Sequence, residues 1–187
     1  MNETKNKTVT IVLIGMFTAI AAVISALPIG FQILGVPATL QTFAMAFLGF
    51  MLGKKNGTVA VAIYILLGLA GVPVYNGFAG GPSVLFGMTG GFIWGFLFIG
   101  FLCGLSLECK NIILKILLPL AGLILCHVAG VIQFGLIMDM KIWPAASAVS
   151  LPYLPKDILS MVIAYFMAFS VRKALAASKI QVLQIAK

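Results

Sequence analysis

Residues 8–53 read TVTIVLIGMFTAIAAVISALPIGFQILGVPATLQTFAMAFLGFMLG, and none of them is charged. A second uncharged stretch runs from Asn56 to Leu107. Of all 187 residues, 62% are hydrophobic and 9% are charged, compared with about 45–50% and about 25% in a soluble domain. Because a membrane-spanning helix needs about 20 mostly apolar residues, the composition argues against a water-soluble globule. It predicts a polytopic helical membrane protein.

The gaps between charged residues set the number of predicted helices. Each of the two long stretches holds two crossings, and the gaps from Lys115 to Asp139 and from Asp157 to Arg172 hold one each. Glycine and proline residues mark the turns between them. The prediction is an all-α, six-helix transmembrane domain over residues 1–187, with spans at about 8–27, 39–53, 57–72, 88–107, 112–137 and 155–174.

The basic residues predict the orientation of these helices, because short cytoplasmic loops retain Lys and Arg. With the N-terminus inside, ten of the 12 Lys and Arg residues lie on the inner side, and only Lys141 and Lys156 lie outside. Both termini are therefore expected in the cytoplasm, with loops 28–38, 73–87 and 138–154 facing outward. A cleaved signal peptide is the alternative for the first span, but its length and the spans that follow favour an uncleaved helix.

Several function classes lack the residues they need. The net charge of +8 is spread in clumps between apolar runs, unlike the single basic face of a nucleic-acid-binding protein. Three cysteines, one histidine and four acidic residues argue against a metal cage, a disulfide framework or an intramembrane enzyme, and no cofactor is implied. The sequence has no phosphate-binding G-x-x-x-x-G-K-[ST] loop, so ATP-driven transport would need a partner. Residues 174–187 fit either a weakly amphipathic interfacial segment or a solvated end.

Asp157 and Lys156 open the sixth predicted helix. Counting back from Arg172 at about 1.5 Å per residue places Asp157 inside the apolar core of a bilayer about 30 Å thick. An ionisable residue at that depth is a functional candidate. Two interpretations remain open: a ligand site at the helix N-terminus, or an Asp157 helix cap with Lys156 reaching the lipid headgroups.

The outer half of the predicted bundle gathers further polar and aromatic side chains. A few directional polar groups within an apolar and aromatic wall are typical of a pocket for a small amphipathic molecule. The polar members are Gln32, Thr39, Gln41, Thr42, Tyr75, Asn76, Ser83, Thr89 and Tyr153, and the aromatic ones are Phe31, Phe78, Phe86, Phe92, Trp94 and Trp143.

Two features within single spans allow a functional and a packing interpretation. Gly15 and Ala19 form a small-x-x-x-small pair on the first helix, which lets another helix approach closely, within the bundle or in a partner. His127, in the fifth span, could relay protons. With no acidic residue in its own span, it is more simply interpreted as a hydrogen-bonded packing residue.

Four motifs in order resemble the BioY family, the biotin-specific S components of energy-coupling factor (ECF) transporters. They are GVPATLQT at 35–42, LGKKNG at 52–57, GLAGVPVY at 68–75 and GMTGGF at 87–92. The resemblance extends from about Gly15 to Lys173. It implies a six-helix S-component fold in the plasma membrane of a bacterium, which binds biotin from outside. The partners it implies are a transmembrane coupling subunit and two ATPases.

The resemblance also assigns roles to residues. Gly15 and Ala19 match the docking motif of the family, and the loop at about 28–38 corresponds to its lid. Met88 stands where the family often has Pro, and Phe92 where it often has Tyr. The family often carries Lys three residues after the aspartate of helix six; here that residue is Ser160, so we hypothesise that Lys156 takes the basic role.

Biotin suits the polar side chains found independently of the resemblance. Asp157 and Asn76 could pair with its ureido group, and Lys156 with its valerate carboxylate, while Tyr75, Phe78, Phe92 and Trp94 are candidate walls for its thiophane ring. The expected substrate-binding residues are Asp157, Lys156, Asn76, Tyr75, Gln41, Thr42, Phe92 and Ser160. The alternatives are a self-sufficient facilitator or channel, or an S component for another small vitamin.

Overall fold

The computed structural model describes residues 2–28, 32–33 and 36–177, apart from the side chains of 2–6 and 33. The α-helices are α1 (Asn2–Ala26), α2 (Gln41–Leu69), α3 (Pro82–Leu85), α4 (Gly90–Ser106), α5 (Ile112–Ile137), α6 (Ile142–Val149) and α7 (Leu154–Ala177). Two short antiparallel strands, β1 (Gln32–Ile33) and β2 (Val36–Pro37), precede α2, and a 3-10 helix spans Asn76–Phe78. The described fold is therefore nearly all-helical, in agreement with the predicted all-α class apart from this short strand pair.

Within the described residues, four helical segments are long and apolar enough to cross a membrane: Lys7–Ala26, Gln41–Leu69, Ile112–Ile137 and Leu154–Ala177. Helix α4 is also apolar but has only 17 residues. Helix α5 coincides with the predicted fifth span, because its ends are set by Asn111, which caps it, and by Asp139 just beyond it. The predicted interfacial tail at 174–187 lies mostly outside the described residues.

Helix α2 is bent back on itself at Gly53. This residue has a non-helical backbone with φ 78° and ψ 176°, a left-handed φ that favours glycine. A β-carbon added to Gly57 would lie 2.9 Å from the Gly49 α-carbon, although eight residues of straight helix would separate them by about 12 Å. Residues 41–52 and 54–69 thus fold back together, and the predicted turn at 53–57 shrinks to one non-helical residue.

The folded α2 lies at the centre of the bundle, where α1, α4 and α7 pack against it, and α4 also packs against α5. The end of the 41–52 segment leaves carbonyl groups that a continuing helix would have satisfied. Arg172 of α7 donates to two of them, those of Phe50 at 3.1 Å and Met51 at 3.2 Å. Lys54 pairs with Glu108 at 2.7 Å, which joins the bend to the end of α4.

The three predicted loops contain more structure than the sequence indicated. Loop 28–38 carries the β1–β2 pair, loop 73–87 carries the 3-10 helix and α3, and loop 138–154 carries α6. Much of the predicted lid, residues 29–31 and 34–35, lies outside the described residues. The described parts of all three loops meet at one end of the bundle, around a shared cavity.

Candidate functional site

A cavity of about 330 Å³ lies where the three loops meet the ends of the long helices. Small-molecule sites in proteins measure about 300–1,000 Å³. The walls come from the segment 36–42, the segment 75–96, Cys126 and His127 of α5, and the segment 149–157. Residues distant in sequence therefore form a single site.

Asp157 and Lys156 form the charged part of this cavity. The Lys156 Nζ lies 2.6 Å from Asp157 Oδ1 and donates to the Thr39 carbonyl oxygen at 2.8 Å. The Asp157 side chain is only 6% exposed. The ion pair therefore compensates the burial of the carboxylate, and the Lys156–Thr39 hydrogen bond joins the first turn of α7 to the segment before α2.

His127 is a buried, hydrogen-bonded packing residue as predicted, and it also lines the cavity, a position that the prediction did not include. Its Nε2 lies 3.3 Å from Asp157 Oδ2, and its Nδ1 lies 2.9 Å from Ser150 Oγ. The argument from its own span failed because the nearby acid is on α7. The sequence did contain a signal for this pair: a histidine and an aspartate lie within two different predicted spans, and ionisable residues inside a membrane tend to pair with one another.

Two tyrosines brace the wall formed by α2 and the segment after it. The Tyr64 hydroxyl accepts from Gln41 Nε2 at 2.8 Å and donates to the Val74 carbonyl at 3.2 Å. The Tyr75 hydroxyl donates to the Ile65 carbonyl at 2.8 Å, so its polar end is satisfied within the protein. Burial, with a smaller contribution from Tyr64, raises the pKa of Tyr75, which keeps this hydroxyl protonated.

Asn76 contributes an unpaired acceptor to the cavity. Its Oδ1 is buried and has no hydrogen-bond partner among the described residues. Leaving a buried polar group unsatisfied costs about 1–3 kcal/mol. A donor on a bound ligand would remove this cost, so Asn76 marks a point where the site is completed by a ligand.

Hydrogen bonds from the helices hold the loops over the cavity. Gln133 Nε2 on α5 donates to the carbonyls of Leu85 at 2.9 Å and Gly87 at 2.8 Å. The Tyr153 hydroxyl donates to the Val36 carbonyl at 2.6 Å, which ties β2 to the segment before α7. The cavity walls are thus fixed to α5 and α7 rather than left as free loops.

The structure brings together most, but not all, of the residues predicted for the site. The predicted residues that line the cavity are Asp157, Lys156, Asn76, Tyr75, Gln41, Thr42 and Phe92. Ser160 is buried one turn further along α7, and it is not among the lining residues in the described part of the chain.

The aromatic wall differs from the predicted one. Phe92 lines the cavity, and Phe96, one turn further along α4, joins it although the sequence did not single it out. Phe78 and Trp94, both predicted walls for a ring, are 60% and 38% exposed and are not among the described lining residues. The predictions for these two residues are wrong, because Trp94 lies on another face of α4 and the Phe78 ring projects outward.

The predicted docking pair lies apart from the cavity, on α1. Gly15 and Ala19 are exposed, and a β-carbon added to Gly15 would meet nothing within 4 Å in the described structure. The neighbouring small residues Thr18, Ala22 and Ala26 are buried instead. One face of α1 therefore packs within the bundle, and the face that carries Gly15 and Ala19 is open.

Comparison with known proteins identifies the family. The family model described as the BioY family matches residues 1–177. A biotin transporter BioY of Thermotoga maritima is 37% identical over 85% of this chain and 93% of its own length. One from Rhodobacter capsulatus is 31% identical over 82% of this chain and 87% of its own.

A solved structure agrees with this relationship. The S-component for biotin from an ECF-type ABC transporter superposes with a TM-score of 0.80 at 27% identity, covering 92% of this chain and 94% of that one. Because the family model covers nearly the whole chain and both relatives align over most of their length, this chain belongs to the BioY family.

Proposed function

We propose that this chain is a membrane-embedded S component that captures biotin from outside the cell for ATP-driven uptake. The observation that carries the proposal is the cavity, in which the Asp157 carboxylate and the unpaired Asn76 Oδ1 face a space of ligand size. The family relationship and the names of the relatives support biotin as the ligand. The chain is a transport component rather than an enzyme.

The acceptors in the cavity match the donors of the ureido group of biotin. That group has two N–H donors and one carbonyl acceptor. A carboxylate accepts about four hydrogen bonds, and Lys156 and His127 each contact one oxygen of Asp157, which leaves acceptor capacity for a ligand. Asp157 therefore accepts one ureido N–H, and Asn76 Oδ1 accepts the other.

The remaining cavity residues suit the rest of biotin. Lys156 is 28% exposed and reaches the cavity, so it pairs with the valerate carboxylate and takes the basic role that Ser160 does not fill. Phe92, Phe96 and Val149 provide the apolar wall for the thiophane ring.

The proposed placement has six crossings of the plasma membrane of a bacterium, with both termini in the cytoplasm. Residues 41–52 and 54–69 serve as separate crossings because α2 folds back at Gly53. The excess of Lys and Arg in the segments assigned to the inside supports this orientation. The cavity then opens toward the outside.

The proposed partners are an ECF transmembrane coupling subunit and two ATPases, with the bilayer around them. The open face at Gly15 and Ala19 lets a partner helix approach closely. In this arrangement the chain supplies recognition, and the ATPases supply the energy.

Equilibrium binding of radiolabelled biotin to the purified chain in detergent tests the proposal. The expected result is saturable binding near one biotin per chain, with unlabelled biotin competing and unlabelled thiamine and riboflavin failing to compete. No saturable binding by a monodisperse sample would overturn biotin as the ligand. Biotin uptake into liposomes that contain the chain alone would instead favour the facilitator.

A further inference from the structure

The buried cluster around His127 links three elements of the fold. His127 lies on α5, Ser150 follows α6, and Asp157 lies in the first turn of α7; all three residues are at most 6% exposed. Histidine Nδ1 is 2.9 Å from the serine hydroxyl oxygen, and Nε2 is 3.3 Å from a carboxylate oxygen of Asp157. Each ring nitrogen therefore has its own polar partner.

The chemistry of these partners decides which nitrogen of a neutral ring carries hydrogen. An ionised carboxylate only accepts hydrogen bonds, so Nε2 must donate to Asp157. Nδ1 is then the acceptor, and the Ser150 hydroxyl, which can donate or accept, donates to it. The carboxylate thus selects the tautomer that directs a donor toward Asp157, and the Ser150 hydroxyl stabilises that tautomer by donating to Nδ1.

Packing also holds the imidazole ring in place. The Phe92 ring contacts it edge to face, with centroids 5.6 Å apart and an interplanar angle of 89°. Gly130, one turn along α5, leaves room for the Phe92 ring, because a β-carbon there would collide with it. Rotation of the histidine would lose both hydrogen bonds and this contact.

Asp157 is held from both sides as a result. Lys156 contacts Oδ1 at 2.6 Å, and His127 contacts Oδ2 at 3.3 Å. Lys156 is the more exposed partner, at 28%, and it also donates to the Thr39 carbonyl. His127 is the more buried partner, held by Ser150 and Phe92.

We propose that His127, set in its Nε2–H tautomer by Asp157 and stabilised in it by Ser150, is a positioning residue that orients the Asp157 carboxylate toward the N–H donor of the ligand. The inference rests on the proposed function for the identity of the ligand, a cyclic urea. The tautomer itself is a property of the ligand-free protein. The two ideas can therefore fail separately.

The first test reads the tautomer without ligand. The chain contains a single histidine, so ¹⁵N-histidine labelling of the full chain, purified with a tag free of histidine, reports His127 alone. We expect the ring hydrogen at Nε2 and not at Nδ1. Ser150→Ala should shift the signal toward a tautomer mixture. A ring protonated at Nδ1, or at both nitrogens, would overturn the proposal whether or not biotin binds.

The second test compares two amides at the same position. In His127→Gln the side-chain nitrogen reaches the position of Nε2, whereas in His127→Asn it reaches only that of Nδ1. We expect biotin affinity within about threefold of the unsubstituted chain for His127→Gln and at least about tenfold weaker for His127→Asn. Equal affinities for the two variants, both folded by thermal melting, would contradict a positioning role.

The third test asks whether His127 acts through Asp157. Effects of residues that work through one another are not additive. We expect His127→Asn to weaken binding by less than about twofold further in an Asp157→Asn background. A full tenfold loss in that background would show that His127 acts independently and would refute the proposal. Biotin binding by the unsubstituted chain, measured in the same series, reports on the proposed function alone.

Discussion

Replacement of Asp157 by Asn is the perturbation that tests the site most directly. The carboxylate is 6% exposed and lies 2.6 Å from Lys156 and 3.3 Å from His127. Asparagine keeps the shape of the side chain but removes its charge and one of its two acceptor oxygens. The change therefore affects the ligand contact and the ion pair with little change in volume.

The expected magnitude follows from the kind of hydrogen bond lost. A hydrogen bond to a charged group contributes about 1.5–3 kcal/mol. At about 1.4 kcal/mol per factor of ten, biotin affinity should fall roughly ten- to a hundredfold. The variant also leaves Lys156 without its carboxylate, so the thermal midpoint should decrease as well.

Titration of biotin into the purified variant, by calorimetry or with radiolabel, measures the effect. Asp139→Asn is the matched control, because Asp139 is exposed and its left-handed φ of 51° is one that asparagine tolerates. We expect the control to bind as tightly as the unsubstituted chain. If Asp157→Asn also binds within about twofold and remains monodisperse, Asp157 is a helix cap and the reasoning about the site is refuted.

Three further substitutions, with Gly15→Ala as a control, test binding, folding and docking separately. Asn76→Ala should weaken biotin binding about tenfold without lowering the thermal midpoint, because its Oδ1 has no partner among the described residues until ligand arrives; a midpoint that falls with affinity unchanged would contradict this. Gly68→Ala should destabilise the chain by about 1–3 kcal/mol, because a β-carbon there would collide with the Tyr75 ring. Denaturant unfolding measures that loss, and Gly15→Ala, which meets nothing within 4 Å in the described structure, should be neutral beside it. Ala19→Leu should preserve biotin binding but prevent co-purification with the coupling subunit, and a retained complex would place docking elsewhere.

The sequence predicted the helices best where charge marks their ends. Burying an unpaired charge in a membrane is costly, so long uncharged stretches delimit helices almost without reference to the fold. Helix α5 was predicted to the residue, with the charged Asp139 just beyond its end and the uncharged Asn111 capping its start. The bend at Gly53 was predicted only approximately, since a single glycine with a left-handed φ accomplishes what a five-residue turn was expected to do.

Side-chain orientation was predicted less well, because it depends on how each helix is rotated against its neighbours. Phe92 and Phe96 are four residues apart and share the cavity face of α4. Trp94 lies two residues from each, about 200° around the helix from Phe92, and points away. Trp94 was predicted to line the cavity because it is aromatic and close in sequence to Phe92. The rotation of α4 about its axis directs the Trp94 side chain away from the cavity.

The sequence by itself determined that the chain is a helical membrane protein of the BioY family with a polar site near the start of its last helix. Those conclusions rest on composition, charge spacing and ordered motifs, which are properties of the chain read along its length. Only the tertiary structure decided that His127 meets Asp157, that Asn76 Oδ1 is unpaired in the described structure, and that Ser160 lies away from the cavity. Hydrogen bonds act over about 3 Å, and that proximity arises from the packing of α5 and α7 around one space.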